Sequence, residues 1–351
     1  MKRKLLFVLV SLLATSVMWA ADGDKFTKTT PQGIEMVFQV ISEAGKTCQA
    51  GYFNEGSYSS TFFTAVDRST EGDVTIPSEI DGYSVIAISE RAFSYCNKLS
   101  SIVIPSSVKT INSYAFSSCS ISSITIPEGV ETIKEGAFRS CRNLENVVLP
   151  NSVTTIENDA FYGCEKLATI NITNSVTTIG TYLFAGCNNV AVSVNNCSRW
   201  RFQNHVFSSY NDDDTSISII IQNGVTTIGG SCFYNNDAIT SVSIPNSVTK
   251  IEGYNRIPST NGAFQACPRL SSLSIPNSVT SIGGYAFYGC GFTSIEIPGS
   301  VTRLEDNTFA YCPNLENVTI NEGVEMIFNA FRNFCQFRSI GFVSNLRSAF
   351  Q

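Results

Sequence analysis

The chain has 351 residues, of which 43% are hydrophobic and 15% charged, and its net charge is −6. This length and apolar content are enough for a long buried core. Nucleic-acid binding depends on clustered Lys and Arg, so the acidic balance and the sequence pI near 5.0 exclude a nucleic-acid partner.

The first predicted element is a signal peptide at residues 1–20. A basic start at residues 2–4 precedes an apolar run at residues 5–14, and the small residues Ala20 and Ala21 follow. The alternative is a membrane anchor, but the apolar run is shorter than the ~20 residues that a spanning helix needs. We therefore expect cleavage near Ala20 and a secreted or cell-surface chain without a membrane span.

Residues 21–71 lack the repeat that dominates the remainder. The stretch from Ile34 to Ile41 mixes apolar and polar residues as a strand does. A solenoid needs an element over its first open coil. We therefore predict a small β-rich N-terminal cap, with a separate binding module as the alternative.

From residue 72 onward a repeat occupies the chain, and residues 72–351 are predicted to form about eleven coils. In most coils an aliphatic residue precedes a phenylalanine by five positions, and in many a cysteine follows it by three. Most phenylalanines recur at steps of 22 or 23 residues, at Phe93, Phe116, Phe138, Phe161, Phe184, Phe207, Phe233, Phe264, Phe287, Phe309 and Phe331.

Each part of the unit has a structural interpretation. The Ile-x-Ile segment alternates with period two and predicts a short strand, which a following proline ends. Val-x-x-Ile predicts a second short extended piece, and Ala-Phe-x-x-Cys predicts a helical or 3₁₀ turn that packs inward. Stacked at the ~4.8 Å spacing of strands, equivalent residues form continuous internal columns.

Residues 275–290 read Ile-Pro-Asn-Ser-Val-Thr-x-Ile-x-x-x-Ala-Phe-x-x-Cys. This pattern resembles the BspA-type leucine-rich repeat of bacterial cell-surface proteins. The resemblance implies an α/β leucine-rich-repeat solenoid that is β-dominated and right-handed, with a parallel sheet on one face. It also implies surface display and adhesion or ligand binding, without shared catalytic residues.

Two departures from the repeat are candidate binding segments, because insertions in solenoids map to surface loops. A degenerate coil carries Trp200, Arg201 and the only histidine, His205. This coil is either a recognition patch or a drifted coil whose aromatics fill the core. Eight residues are added within residues 252–262, which include Tyr254 and Arg256. That insertion is either a partner contact or a plain surface loop.

Eight of the twelve cysteines occupy one column of the repeat. Side chains in a stacked column point in parallel, whereas a disulfide needs converging Cβ atoms. We expect reduced, buried thiols there, while one bridge remains open among the cysteines outside the column, Cys48, Cys197, Cys232 and Cys335.

The sequence offers little catalytic or metal chemistry. No C-x-x-C pair is present and one histidine does not complete a usual zinc site, so no metal and no cofactor is expected. A hydrolase would depend on His205, and a glycosidase on carboxylates that are scattered among turns. Calcium at Asp212–Asp214 lacks the spaced ligands of a dedicated loop. We therefore predict no enzyme activity.

The outward positions of the Ile-x-Ile strands are mostly Ser, Thr and Asn, which predicts a flat polar face. Such a face favours an extracellular protein or glycan over a small substrate, which prefers a concave apolar site. The alternative is a solvated sheet surface without a binding role. Function is thus predicted as adhesion or macromolecular binding by a monomer, with a structural envelope scaffold as the alternative and a carbohydrate-processing enzyme as a remote one.

Overall fold

The computed structural model describes residues 21–52, 64–194, 206–207, 215–256, 259–332 and 339–342. Within these ranges the chain consists of strands and turns and contains no helix. Each coil of about 23 residues contributes a longer strand, a two-residue strand and a segment of turns, so the solenoid has three faces around one apolar core.

The first face, called the long-strand face below, is built from the Ile-x-Ile segments. Its strands mostly pair in parallel with strands one coil away, and their inward residues are buried while alternate residues point to solvent. The strands are β4 (Gly72–Thr75), β7 (Leu99–Val103), β9 (Ser123–Thr125), β11 (Asn146–Val148), β13 (Thr169–Ile172), β15 (Val190–Val194), β16 (Ile217–Ile221), β18 (Ile239–Ser243), β22 (Ser272–Leu273), β24 (Ser294–Ile297), β26 (Asn317–Ile320) and β28 (Ser339–Phe342).

The second face comes from the Val-x-x-Ile segments, whose last two residues form a second set of parallel strands. In each described coil the second residue of the pair points inward, so the predicted second extended piece is confirmed. These strands are β6 (Tyr83–Ile88), β8 (Thr110–Ile111), β10 (Thr132–Ile133), β12 (Thr155–Ile156), β14 (Thr178–Ile179), β17 (Thr227–Ile228), β19 (Lys250–Ile251), β23 (Ser281–Ile282), β25 (Arg303–Leu304) and β27 (Met326–Ile327).

The third face, called the turn face, corrects the prediction of an α/β fold with helical or 3₁₀ turns. Around Phe116, the residues two before and two after it, Tyr114 and Ser118, both have a left-handed backbone with φ of 57°. A right-handed helix excludes that conformation. The same two offsets carry positive φ in most of the other described coils. The described fold is therefore a β-solenoid.

The backbone N–H groups of the turn face find hydrogen-bond partners without a helix. The N–H groups of Tyr114, Phe116 and Ser118 donate to carbonyl oxygens of the next coil at 2.8–2.9 Å. The intervening N–H groups of Ala115 and Ser117 donate three residues back, at 3.2 and 3.0 Å. Buried backbone groups need such partners, so the turn face joins neighbouring coils as firmly as the strands do.

The predicted phenylalanine column forms a continuous stack. The eleven rings make ten successive contacts along the solenoid, with centroids 5.0–6.2 Å apart, and so span about ten full turns. Phe207, from the degenerate coil, keeps its place at 6.0 Å from Phe184 and 6.2 Å from Phe233. The column therefore continues through the irregular part of the sequence.

The cysteine column is buried and unbridged, as predicted. The ten cysteines of the described ranges are buried and form no disulfide, whereas Cys197 and Cys335 lie outside those ranges. Each column thiol after the first donates to a carbonyl of the preceding coil, as Cys141 Sγ does to Phe116 O at 3.0 Å. Burial raises the pKa of Cys267 to about 12, so the reactive thiolate is suppressed.

The N-terminal residues form an antiparallel sheet of β1 (Lys25–Thr29), β2 (Glu35–Ser42) and β3 (Thr47–Ala50). Strand β3 pairs with β6 in parallel, and β5 (Glu79–Ile80) pairs with β6 antiparallel. The role of this sheet as a cap, the boundaries 1–20, 21–71 and 72–351 and the right-handed coil stay predictions. No helix long and apolar enough to span a membrane occurs in the described part of the chain.

Within the described residues, the long-strand face is interrupted twice, between β7 and β9 and between β22 and β24. At both places the arriving coil is short. One residue instead of the usual two separates the column cysteine from the next buried apolar residue, as in Cys119–Ile121 and Cys290–Phe292. A coil that reaches its strand one residue early does not keep the register that pairing requires.

Candidate functional site

The structure places only part of the predicted binding residues. Trp200, Arg201 and His205 lie outside the described residues. The backbone of Arg256 lies in β20 (Asn255–Arg256), which pairs antiparallel with β21 (Ser259–Thr260). Tyr254 precedes that strand, and half of its side chain is exposed.

The insertion at residues 252–262 is anchored at both ends to the solenoid. Tyr254 N donates to Gly284 O of the next coil at 2.8 Å, and Ala263 N donates to Glu252 O at 3.1 Å. The close approach at its base requires a glycine, because a Cβ on Gly253 would lie 2.2 Å from Gly284 O. The added residues therefore leave the turn face as a small hairpin while the regular coil closes beneath them.

Tyr254 at the base of this hairpin and three tyrosines of the turn face form a row of contacting rings, and we call these four residues the tyrosine platform. Ring centroids are 5.8 Å apart between Tyr254 and Tyr285. They are 5.6 Å apart between Tyr285 and Tyr288, and 5.0 Å between Tyr288 and Tyr311. Two coils and the insertion thus contribute to one continuous aromatic surface.

The platform is open to solvent at both of its ends. Tyr254 is 50% exposed and Tyr311 is 51% exposed, while Tyr285 and Tyr288 are half-buried between them. Burial, together with the neighbouring phenols of Tyr311 and Tyr285, raises the pKa of Tyr288. The surface therefore offers uncharged hydroxyl groups and electron-rich ring faces, which suit stacking and hydrogen bonding.

Tyrosines also occur on the turn face of the first coils, but there an arginine lies over the ring of three of them. The guanidinium carbon lies 5.5 Å from the ring centroid for Arg68 over Tyr95. We call Tyr95, Tyr114 and Tyr162 the arginine-covered tyrosines; the corresponding distances are 5.0 Å for Tyr114 under Arg91 and 3.9 Å for Tyr162 under Arg139.

A second concave feature lies on the long-strand face at the break between β22 and β24. The groove has a volume of about 1160 Å³ and combines apolar side chains with serine and asparagine side chains. The predicted flat face is therefore not uniform. The hydroxyl of Ser278 is buried there without a hydrogen-bond partner, whereas the equivalent Ser247 and Ser300 each donate to a carbonyl of the preceding coil.

Within the described residues, neither the tyrosine platform nor the groove has a cluster of metal-ligating side chains. Among the described residues no group of three or more His, Cys, Asp or Glu side chains stands close enough to hold an ion. Asp212–Asp214, whose spacing in the sequence does not favour calcium, lie outside those residues.

Sequence reasoning identified Tyr254 through the insertion but missed Tyr285, Tyr288 and Tyr311. The signal that would have found them is their offset from the column phenylalanines: two before Phe287, one after Phe287 and two after Phe309. Tyrosines at those offsets are exposed or half-buried in the described coils, so an aromatic residue there contributes to the surface.

Repeating β-coils with apolar columns define the chain as a leucine-rich-repeat solenoid. The profile of the family described as BspA type Leucine rich repeat region matches six copies over residues 72–191, 132–255 and 258–351. The chain belongs to this family, as its repeat predicted. No curated protein matches the chain.

Three solved structures illustrate the similarity. A leucine rich cell surface protein from Faecalibacterium prausnitzii is 23% identical, with 92% of this chain and 96% of that one covered and a TM-score of 0.32. The pneumococcal vaccine antigen PcpA is 18% identical, with coverage of 93% and 90% and a TM-score of 0.40. A leucine-rich repeat protein from Bacteroides ovatus is 22% identical, with coverage of 88% and 98% and a TM-score of 0.33.

Proposed function

We propose that this protein is exported and acts as a non-catalytic adhesion or binding protein, holding an extracellular protein or glycan on its solenoid surface. The observation that carries the proposal is the tyrosine platform. Exposed tyrosines are enriched at recognition surfaces, because a rigid ring with a polar tip gives a large contact area at a low entropic cost. The platform also adjoins the largest insertion in the repeat, where a solenoid displays binding loops.

Export is supported by the basic and apolar start of the chain, with cleavage expected near Ala20. The cysteine column is compatible with an oxidising environment. Its thiols are buried, and burial raises the pKa of Cys96 and of Cys312 to about 12. Because the thiolate is the species that forms disulfides, these cysteines stay reduced outside the cell while the fold is intact.

A binding role accounts for the chemistry of the described surface better than catalysis does. The buried thiols are poor nucleophiles, since burial raises the pKa of Cys48 and of Cys267 to about 12. The carboxylates of Glu252 and Glu305 near the platform are engaged by Lys250 and Arg303, at 3.0 and 2.7 Å. Tyrosine hydroxyls and ring faces hold a ligand without a proton transfer.

The test is a binding screen of the full chain against immobilised extracellular-matrix proteins and a glycan array. We expect a saturable binder whose affinity falls when Tyr254 and Tyr311 are replaced by alanine. The matched control is Tyr95→Ala, which removes an equally exposed tyrosine from the same face. If no binder emerges and the protein instead associates stably with envelope fractions, the scaffold alternative replaces the proposal.

A further inference from the structure

The first coils contain an internal example of what a tyrosine on the turn face binds. The guanidinium of Arg139 lies 3.9 Å from the ring centroid of Tyr162, and its Nη1 donates to Asp159 Oδ2 at 2.8 Å. A ring face and a carboxylate therefore hold one guanidinium together. Cation–π attraction favours this geometry, and a planar guanidinium stacks on a ring better than an ammonium does.

Tyr114 provides a second example, at a different offset from its column phenylalanine. Arg91 lies over Tyr114 at 5.0 Å and forms an ion pair with the carboxylate of Glu90. In both examples the arginine occupies the same offset from the column phenylalanine as its tyrosine, but one coil earlier. The stacking of coils thus places the guanidinium over the ring.

The platform presents tyrosines at the same offsets without the arginines. Tyr285 has the offset of Tyr114, and one coil earlier Gly262 stands where Arg91 would. Tyr288 has the offset of Tyr162, and Gln265 stands where Arg139 would. In the described part of the chain no cationic side chain lies over the platform rings, whereas Tyr254 and Tyr285 contact each other at 5.8 Å.

Asp306 is joined to the platform through its backbone and carries an exposed carboxylate. The carbonyl oxygen of Asp306 accepts a hydrogen bond from Tyr285 N at 3.3 Å. The side chain of Asp306 is exposed and forms no ion pair with any described residue. The chain as a whole carries a charge of −6, which attracts cationic partners.

We propose that the tyrosine platform is a binding site for the guanidinium group of an arginine-bearing, extended segment of a partner protein. The partner's arginine takes the place that Arg91 and Arg139 take in the first coils, with ring faces beneath it and Asp306 beside it. This inference rests on the proposed function and narrows it, because it names a protein with exposed arginine as the ligand rather than a glycan.

The probe is an acetylated, amidated Gly-Arg-Gly-Arg-Gly peptide, titrated into the full-length protein and followed by ¹H–¹³C NMR of the tyrosine rings. The control peptide carries citrulline, which keeps the planar shape of arginine and removes its charge. We expect the arginine peptide to shift platform resonances and to bind about tenfold more tightly than the citrulline peptide. Equal binding of the two peptides would overturn the proposal.

Variants locate the site. Tyr311→Leu and Tyr254→Leu are expected to weaken the arginine peptide about fivefold, whereas Tyr95→Leu leaves it unchanged. Gln265→Arg builds the internal arginine of the Arg139 example over Tyr288 and is expected to abolish peptide binding. Loss with Tyr95→Leu, or full binding with Gln265→Arg, would contradict the assignment.

Arg256 in the insertion needs its own control. Binding that is unchanged in Arg256→Gln supports an open platform, whereas binding that emerges only in this variant shows that the chain covers its own platform and overturns the proposal. Failure of the peptide test with retained binding of a matrix protein or glycan leaves the proposed function standing without this ligand. If the peptide titration and the binding screen both show no binding, the arginine site and the proposed function are both contradicted.

Discussion

The turn face of the first coils and that of the last coils differ at their surfaces, although they share one core. Near Tyr114 and Tyr162 each ring is covered by an arginine of the preceding coil. Near Tyr285 and Tyr288 the rings contact other tyrosines instead. The phenylalanines beneath both regions stack at similar distances, 5.2 Å for Phe116–Phe138 and 5.3 Å for Phe287–Phe309.

The difference shows how a repeat separates stability from recognition. Stacking fixes where each side chain of a column stands, so the core columns accept few residue types. Large side chains at the turn-face offsets reach solvent, and the phenylalanine stack is the same whether an arginine, glutamine or glycine stands there. In the first coils an arginine of the chain itself therefore occupies the tyrosine ring faces. In the last coils the ring faces are available to a partner.

The largest expected effect is alkaline unfolding, which both regions should share. Burial raises the pKa of Cys96 and of Cys267 from 9.0 to about 12. A raised folded-state pKa gives stability that is complete below the unfolded pKa and is lost as pH rises from about 9 towards 12. At pH 10 each such thiol costs about 1 kcal/mol, so the seven column cysteines whose pKa burial raises together cost on the order of 10 kcal/mol.

Urea unfolding followed by circular dichroism, in reductant at about pH 8 and about pH 10, measures this loss. Cys141→Ala in the first coils and Cys290→Ala in the last should each reduce the pH dependence by a similar amount. A midpoint that stays constant across this range would contradict the buried, reduced column.

The second prediction concerns the shared core directly. Phe116→Ala and Phe287→Ala each remove a fully buried ring from the same stack. We expect each to lower the free energy of unfolding by about 3–5 kcal/mol, because the cavity collapses only in part. Chemical denaturation of the two variants measures the effect. Losses that differ by more than about 2 kcal/mol would show that the two regions differ in the core as well as on the surface.

A third, smaller effect is expected where an internal arginine is removed. Arg139→Gln loses the contact with Tyr162 and the partly buried ion pair with Asp159, which together contribute about 1 kcal/mol. Burial already raises the pKa of Asp159, and Arg139 opposes that rise. The variant raises this pKa further, so its destabilisation should be larger at neutral pH than near pH 3, which is below the ordinary pKa of an aspartate.

The same variant gives Tyr162 the surroundings of Tyr288 and should gain weak binding of the arginine peptide. Arg139→Lys is the matched control, since it keeps a charge over the ring. Destabilisation that is equal at both pH values would mean that the ion pair contributes nothing.

The smallest expected effect on stability comes from the exposed tyrosines. Tyr95→Ala and Tyr311→Ala should each change the free energy of unfolding by less than about 0.5 kcal/mol, because both side chains are half exposed. Only Tyr311→Ala should lower ligand binding. Thermal denaturation beside a binding titration separates the two readouts, and a large stability loss in either variant would assign that tyrosine to the core.

The sequence predicted the core because its columns are repeated and buried. Phe, Ile and Cys recur at fixed spacing, and each of those columns points inward. The turn geometry was not predictable in the same way. The left-handed positions around Phe116 hold Tyr114 and Ser118, which are ordinary residues without the glycine signal that such backbone favours.

The platform was predicted only at Tyr254, where the insertion drew attention to the sequence. Tyr285 and Tyr288 are ordinary members of their coils, and Tyr311 lies 23 residues beyond Tyr288. Their contact depends on stacking, which brings together residues far apart in the chain. Stacking also decides which tyrosines of the turn face have an arginine neighbour, as Tyr114 and Tyr162 do.

The two interruptions of the long-strand face have a mechanical consequence. Where β22 and β24 do not pair, one set of interstrand hydrogen bonds is missing from the joint between two coils. In a solenoid each coil is held only by its neighbours, so the strength of the rod equals that of its individual joints. Under tension the rod should part first at these joints and unravel in blocks, and amide hydrogens of β22 and β24 should exchange faster than those of β13 and β15.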